Sequence, residues 1–523
     1  MPSPPSAMGE DGQAAVLSLL GGSGRPNTTV RRIDTHCSIV FLEPSRVLKI
    51  KRAVKLPYLD FSTLEKRRRA CADEIAVNQR LAPAIYRGVV PITCGPEGLA
   101  IGGTGQVVEW AVEMARFDDS KTLDHLAEQD AFGPELGESL AAVLLKSHRA
   151  ATASDGSHWL ASLAVIIDRN TEQFRAEPGL SRDSTDKLHE LSHRALVRNL
   201  ELLHLRAATG QVRHCHGDAH LGNIVLIDGE PVLFDAIEFD ADIATTDVLY
   251  DLAFPLMDLL YFGREAAANR LFNGYMQASW DTQSNALSLL PLFLSVRAAI
   301  RANVLLTKKR QNRQDQTIGA RASRYFELAR RLIEPEPPRL LAIGGKSGTG
   351  KSVLARDIAH LIAPSPGALV LRSDVIRKQL YAVGEHARLP RATYTPEVSD
   401  HVYGAMLDRA KRALRQGSSV IVDAAFLKRA ERDAAEVVAR DAMVEFHGLF
   451  LIADRALRLQ RVASRRHDAS DATSDVVLLQ DRIDTGDVDW ALIDASGSPA
   501  MTLQRSAIQL QDANLSPDLR NAP

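Results

Sequence analysis

Two stretches of the chain carry the residue types and spacing of phosphate chemistry. In the first, His214-Cys-His216-Gly217-Asp218-Ala-His-Leu-Gly-Asn223 contains the pattern H-G-D-x-x-x-x-N, and Val232-Leu-Phe-Asp235 follows after a Gly-containing turn. Moving a phosphoryl group onto a hydroxyl needs one carboxylate to orient and deprotonate the acceptor. It also needs an amide oxygen to hold a metal ion and a second carboxylate to bridge that metal to the phosphates. Asp218, Asn223 and Asp235 stand in that order.

The second stretch, Gly345-Lys346-Ser347-Gly348-Thr349-Gly350-Lys351-Ser352, matches G-x-x-x-x-G-K-[ST] between an apolar run and a helical one. Its glycines let the backbone close around phosphate oxygens, so that amide N–H groups and the positive end of the next helix face the anion. Lys351 adds a point charge and Ser352 a hydroxyl suited to magnesium. Downstream, Arg372-Ser373-Asp374-Val-Ile-Arg377 puts a carboxylate at a strand end, although Ser and Asp are also helix-capping types and that role stays open for Asp374. Val420-Ile-Val-Asp423 is an apolar strand ending in an acid that could hold magnesium through water. Arg458, Arg461, Arg465 and Arg466 fall on one predicted helix and its exit, either as a lid over the phosphates or as a solvated face.

The first pair of motifs resembles the aminoglycoside phosphotransferase family, a variant of the protein kinase fold, over about residues 30–330. The resemblance implies Asp218 as catalytic base, His216 as a brace for its loop, and Asn223 with Asp235 as magnesium ligands. It implies that Lys49, in Arg46-Val-Leu-Lys49, contacts the inner phosphates of ATP with Glu74 as ion-pair partner; Lys51 shares the strand face and is the alternative. Glu109-Trp110-Ala-Val112-Glu-Met114 looks like the hinge whose backbone would meet adenine. The turn Asp34-Thr-His-Cys-Ser38 lacks the glycines of a phosphate-covering loop, leaving contact there to Ser38 and backbone amides. The second half, about residues 338–500, resembles the small P-loop kinases related to AAA-type ATPases, the group of polynucleotide-kinase, zeta-toxin and gluconate-kinase types. That likeness implies Asp374 as base, Arg377 as the holder of an anionic acceptor group, and a lid arginine such as Arg465 on the transferred phosphoryl group.

Elements that would position these residues follow from pattern. Short apolar runs at 38–42 and 46–50, a charged helix over 62–81 ended by Pro83, and strands near 85–91 and 105–113 predict a sheet-rich lobe; periodic stretches at 123–150 and 160–205 predict a helical lobe. Ile333-Glu-Pro-Glu-Pro-Pro-Arg339 cannot continue a helix and marks a linker over 334–339. Beyond it, strands at 340–344, 369–372, 419–423 and 445–451 alternate with helices, which predicts a parallel sheet. The expected class is therefore an α/β multidomain chain. A two-lobed α+β kinase-like domain would span 28–333 and an α/β P-loop domain 340–500, flanked by tails at 1–27 and 501–523.

Composition narrows the partners. With 63 Lys and Arg against 65 Asp and Glu, the net charge of -2 supplies no field for nucleic acid or anionic membrane. The basic run Lys308-Lys-Arg-Gln-Asn-Arg313 reads as a solvated helix face or, alternatively, a nucleic-acid contact. The acids Glu238, Asp240, Asp242, Asp247 and Asp251 read as an acidic acceptor pocket or as capping residues. Four scattered cysteines without a CxxC pair suit a reducing cytoplasm, and no signal peptide or membrane anchor is expected. The function so expected is a bifunctional phosphotransferase using ATP and magnesium on small hydroxylated acceptors. Two other readings remain: a regulatory nucleotide-binding module in one half, or a polynucleotide 5′-kinase in the P-loop half.

Overall fold

The computed structural model describes residues 10–22, 29–35, 37–56, 59–311, 315–465 and 468–511. Arg466, His36, Asn312, Arg313 and residues 1–9, 23–28 and 512–523 lie outside them. The chain divides into two compact units, the first of residues 1–132, 146–166 and 200–258, the second of 133–145, 167–199 and 259–523.

The first unit begins with a helix, α1 (Glu10–Leu20), where the sequence suggested only a tail over 1–27. Val16 and Leu20 are buried at helical spacing with Gln13, and Leu17 and Leu19 pack partly against the same core, so the apolar second half of the helix docks on the sheet. Val16 and Leu20 pack with Ile39, Phe41, Leu48, Ile50, Ile92 and Ala111 of the sheet. That sheet is antiparallel and contains β1 (Arg31–Asp34), β2 (Ser38–Leu42), β3 (Arg46–Lys51), β4 (Tyr86–Gly95), β5 (Gly98–Ile101) and β6 (Gln106–Ala115), in the spatial order β1-β2-β3-β6-β4-β5. Between β3 and β4 runs α2 (Leu64–Leu81). Thr63 caps its first turn by accepting from the Lys66 N–H, and it ends ahead of Pro83 as expected. A hairpin of β7 (Ile224–Ile227) and β8 (Glu230–Leu233) follows the H-G-D motif, with the turn at Asp228-Gly229. After a single helical turn (Ala241–Ala244) and a short strand (Thr245–Asp247) comes helix α3 (Val248–Tyr261).

In the second unit, α4 (Glu265–Gln283), α5 (Leu290–Gln311) and α6 (Gln316–Ile333) precede a parallel sheet. Its strands are β9 (Arg339–Gly345), β10 (Leu369–Arg372), β11 (Val420–Asp423), β12 (Glu445–Ile452) and β13 (Ala491–Asp494), in the order β10-β11-β9-β12-β13. Helix α6 stops at Ile333 and β9 starts at Arg339, so the prolines break the chain where expected. The compact unit nevertheless runs across that break. Asn269 on α4 donates to Pro366 O and Ala368 O (both 3.1 Å), and Asn273 Oδ1 accepts the Val370 N–H (2.7 Å), so side-chain amides satisfy the open edge at β10.

Strand β13 was not anticipated, and α7 (Pro499–Gln511) replaces part of the tail expected over 501–523. Ala507 and Leu510 of that helix join Leu341, Ile343, Leu449 and Leu451 in the core beside the sheet. The segment Leu287–Arg310 is long and apolar enough to cross a bilayer by length and composition, but 72% of it is buried inside the fold, as in a core helix.

Candidate active sites

In the first unit, the H-G-D turn depends on backbone geometry. Gly217 sits at φ 80°, and a Cβ there would lie 3.0 Å from Ala244 Cα. Its N–H donates to Asp251 Oδ1 (3.0 Å), while Leu221 N–H donates to Asp258 Oδ2 (3.1 Å), so two buried acids of α3 hold the loop. His216 Nε2 bonds Phe234 O (2.9 Å) and its Nδ1 accepts the Asp218 N–H (3.3 Å), bracing the loop against the strand that leads to Asp235. Asn223 Nδ2 donates to Asp218 O (3.0 Å) and Oδ2 (3.2 Å). This leaves Asn223 Oδ1 as a hard oxygen donor, the type that magnesium selects. Asp235 occupies the left-handed region at φ 60°. Tyr86 Oη accepts its N–H (3.1 Å), and Asn78 on α2 accepts the next one, from Ala236 (2.7 Å).

Lys49 Nζ lies 2.9 Å from Glu74 Oε1 and 2.5 Å from Asp235 Oδ1, joining strand, helix and metal-type acid in one contact. Burial alone would lower the Lys49 pKa, but Asp235, Glu74 and Glu238 outweigh it and hold the ammonium well above its usual value. Lys51 Nζ instead pairs with Glu74 Oε2 (2.6 Å) and with Glu238, all three side chains being buried. Burial raises the Glu238 pKa against the opposing pull of Lys51.

Three expectations change here. Trp110 and Val112 cannot present a hinge backbone. Val112 is paired with Lys49 on β3 and Val89 on β4, Trp110 with Pro91, and the Trp110 N–H already donates to Glu109 Oε1 (3.0 Å). The strand continues to Ala115, so ladder-free backbone begins only after it. The acids after Asp235 form no common acceptor pocket: Glu238 pairs with Lys51, Asp240 caps residues 241–244, Asp242 is exposed beside His158 (3.6 Å), Asp247 pairs with buried Arg206 (2.6 Å), and Asp251 holds Gly217. Ser38 is buried in a turn closed by the Thr35 hydroxyl, which accepts its N–H (2.9 Å).

In the second unit, the glycine loop leads into helix α8 (Lys351–Ile358), after Gly350 at φ 96°. Gly345 (φ 133°) and Gly348 (φ 87°) admit no side chain, since a Cβ would stand 2.5 Å from Leu451 O or 2.6 Å from Arg458 O. Ser352 Oγ donates to Asp423 Oδ2 (2.5 Å), so the expected pair of magnesium-type ligands meets at the end of β11. Lys351 Nζ donates to Lys346 O (3.2 Å), and burial lowers its pKa against Asp423 and Asp374. Thr349 Oγ1 donates to Lys346 O (2.9 Å), and Gln480 Oε1 accepts the Ser347 N–H (2.7 Å). Loop amides, a half-buried lysine and a hydroxyl–carboxylate pair make a donor set that fits a magnesium-bound polyphosphate.

Asp374 lies in the first turn of helix α9 (Ser373–Leu380), whose N-cap position belongs to Arg372. Burial raises the Asp374 pKa against the pull of Arg372. Arg377 does not stand ready for an acceptor. It is buried, donates to Thr393 O (2.6 Å) and Ser399 Oγ (3.3 Å), and lies 4.7 Å over the Tyr394 ring. The guanidinium that accompanies the acids is Arg372, 2.8 Å from Asp468 and 3.5 Å from Asp423. Sequence reading missed it because the acids that gather it lie 51 and 96 positions away. Arg458 pairs with Asp481 (2.5 Å) and Arg461 donates to Ala495 O (2.9 Å) and Gly497 O (2.8 Å), so both hold the fold. Arg465 stays half-buried, 3.8 Å from Asp468, and its charge is among those that lower the Lys351 pKa.

The family described as "Phosphotransferase enzyme family" matches residues 20–283, half of the chain, and an "AAA domain" matches residues 340–482. An uncharacterized protein of Mycobacterium tuberculosis, Rv2004c, is 29% identical over 455 residues, covering 85% of this chain and 88% of that protein. Among solved structures, the chain is similar to a gluconokinase from Sinorhizobium meliloti 1021 (20% identity, TM-score 0.26, 34% of this chain and 95% of the other). It is also similar to a choline/ethanolamine kinase family protein from Mesorhizobium loti (16% identity, TM-score 0.37, 62% and 94%). The chain belongs to the phosphotransferase enzyme family and carries an AAA-type P-loop domain behind its kinase-like part.

Proposed function

We propose that the chain is a bifunctional phosphotransferase that uses ATP and magnesium at both sites and phosphorylates hydroxyl groups of small molecules. The observation that carries the reading is the joining of Glu74, Lys49 and Asp235 within hydrogen-bond distance, beside an Asp218 held by Asn223. Magnesium-bound ATP would supply the transferable phosphoryl group and neutralise its charge. Asp218 orients the acceptor hydroxyl and takes its proton, and its loop stays in register because Asp251 and His216 hold two successive backbone amides, those of Gly217 and Asp218. Lys49 neutralises inner phosphate oxygens, while Asn223 and Asp235 offer the metal-holding oxygens. At the second site the loop amides other than those of Ser347 and Thr349, together with Lys351, hold phosphate, Ser352 and Asp423 hold the metal, and Asp374 serves as base for its own acceptor.

The decisive experiment incubates the full-length protein with labelled ATP, magnesium and a panel of aminoglycosides, sugars, amino alcohols and oligonucleotide 5′ ends. Asp218→Ala and Lys351→Ala are run alongside. Labelling of two small-molecule classes, each abolished by one variant, supports the proposal. Loss confined to one variant would make the other half a nucleotide-binding module, and labelled oligonucleotide would make the P-loop half a polynucleotide kinase.

A further inference from the structure

We propose that α1 is a positioning element for the kinase-like site, using Gln13 to fix α2 on the sheet and so hold Glu74 against Lys49. The inference rests on the phosphoryl-transfer reading of that site. Helix α1 lies almost wholly ahead of the matched family region, which starts at residue 20.

Gln13 is 5% exposed and all its hydrogen-bonding ends are used. Its Nε2 donates to Lys51 O (2.9 Å) and to Glu109 Oε2 (2.6 Å), and its Oε1 accepts the Ala53 N–H (2.9 Å). Two of these contacts, to Lys51 and to Glu109, lead toward Glu74. Along β3, the residue gripped by its backbone is Lys51, whose ammonium pairs with Glu74 Oε2 (2.6 Å). Across the sheet, Glu109 is fully buried and receives Arg67 Nε at 2.9 Å on both oxygens, and Arg67 also donates to Phe61 O (3.0 Å). Arg67 is on α2 seven residues before Glu74, two helical turns away on the same face, and both are buried. Gln13 therefore completes a bracket with one arm on the lysine strand and the other on the helix that carries the lysine's partner. Val16 and Leu20 seat the helix that supplies it.

A buried amide in such a position acts on geometry, and small displacements of a charge-holding group cost rate steeply. The test uses full-length protein carrying Lys351→Ala, so that turnover reports the kinase-like site. It compares Gln13→Ala, Glu74→Gln and the double substitution, together with amide exchange over residues 64–81. Gln13→Met, which fills the same space without the amide, carries the test where the alanine variant does not fold. The expected result is a kcat about tenfold lower for the Gln13 variants, with the KM for ATP changed much less, and faster exchange in α2. In the Glu74→Gln background the Gln13 substitution should add almost nothing, because the position being held no longer matters. Equal losses in both backgrounds would mean a merely structural role and overturn the proposal, as would unchanged turnover with unchanged exchange. If Asp218→Ala leaves turnover unaltered, it is the reading of the site that fails; exchange then decides alone, and unaltered protection of α2 in Gln13→Met overturns the bracket.

Discussion

Lys49 and Lys51 sit two residues apart on one strand face, and the structure gives them opposite consequences on removal. Lys51 is 1% exposed, and its partners Glu74 and Glu238 are buried with it. In Lys51→Met, Glu74 keeps Lys49 at 2.9 Å, but Glu238 loses its ion pair. Stranding one member of a buried pair costs ~3–5 kcal/mol. Burial already raises the Glu238 pKa, so the uncovered carboxyl can take a proton, which moves the loss to about 3 kcal/mol. The sign with pH follows: a carboxyl whose folded pKa is raised destabilises as pH climbs past its unfolded value, so the variant should approach wild-type stability near pH 5 and fall behind it at pH 8. In Lys49→Met, Glu74 keeps Lys51 at 2.6 Å, and the Asp235 side chain, 44% exposed, remains open to water. Its stability loss is therefore about 1 kcal/mol, while turnover should drop at least about a hundredfold with the charge on the phosphates gone. Because the chain has two compact units, stability is read from amide exchange in β3 and α2 rather than from one unfolding midpoint, and turnover is measured in the Lys351→Ala background. A Lys49→Met protein that keeps wild-type turnover, or a Lys51→Met protein inactive at unchanged stability, would refute the assignment.

Gly217→Ala should destabilise the catalytic loop by about 1–3 kcal/mol and reduce kinase-like turnover, since φ 80° and the Ala244 contact both oppose a side chain; circular dichroism and ATP consumption check it. With Asp374 as base, the acid limb of the P-loop activity should lie above the ordinary carboxylate range, because burial raises that pKa; a pH–kcat profile measured in Asp218→Ala protein reports it, and a limb near pH 4 would contradict it. Arg377→Ala should lower thermal stability more than it raises any acceptor KM, whereas Arg372→Ala should lower kcat at the P-loop site, as steady-state kinetics will show. Ser352→Ala should weaken the magnesium dependence of that site while leaving nucleotide binding measurable by titration calorimetry.

Motifs were readable where the requirement is local. A phosphate-cradling loop needs glycines at left-handed positions within six residues, and Gly345, Gly348 and Gly350 occupy them. The prolines after Ile333 end α6 because their rings cannot continue it. Helix α1 escaped because its apolar run over 14–20 is short and set between stretches rich in Pro, Gly and Ser, and α7 because one buried stripe on a mixed segment looks like a tail until the surface it meets is known. Trp110 and Val112 were misplaced for a related reason: an apolar run shows a strand, but which of its backbone groups are spent in the ladder depends on neighbours at 46–50 and 86–94.

The residue order by itself therefore carried two motifs of phosphate type, the acids and amides expected at each, and the succession of a sheet-rich lobe, a helical segment and a parallel sheet. Only the tertiary structure set Lys49, the lysine already preferred, against Glu74 and Asp235 while turning Lys51 to Glu238, buried Arg377 on Thr393 O, and brought Arg372 to Asp423 and Asp468. Those choices rest on ion pairs and hydrogen bonds between groups as far apart as Lys49 and Asp235, 186 positions along the chain. Charge strength at such a contact depends on distance and burial, quantities that spacing along a chain does not carry.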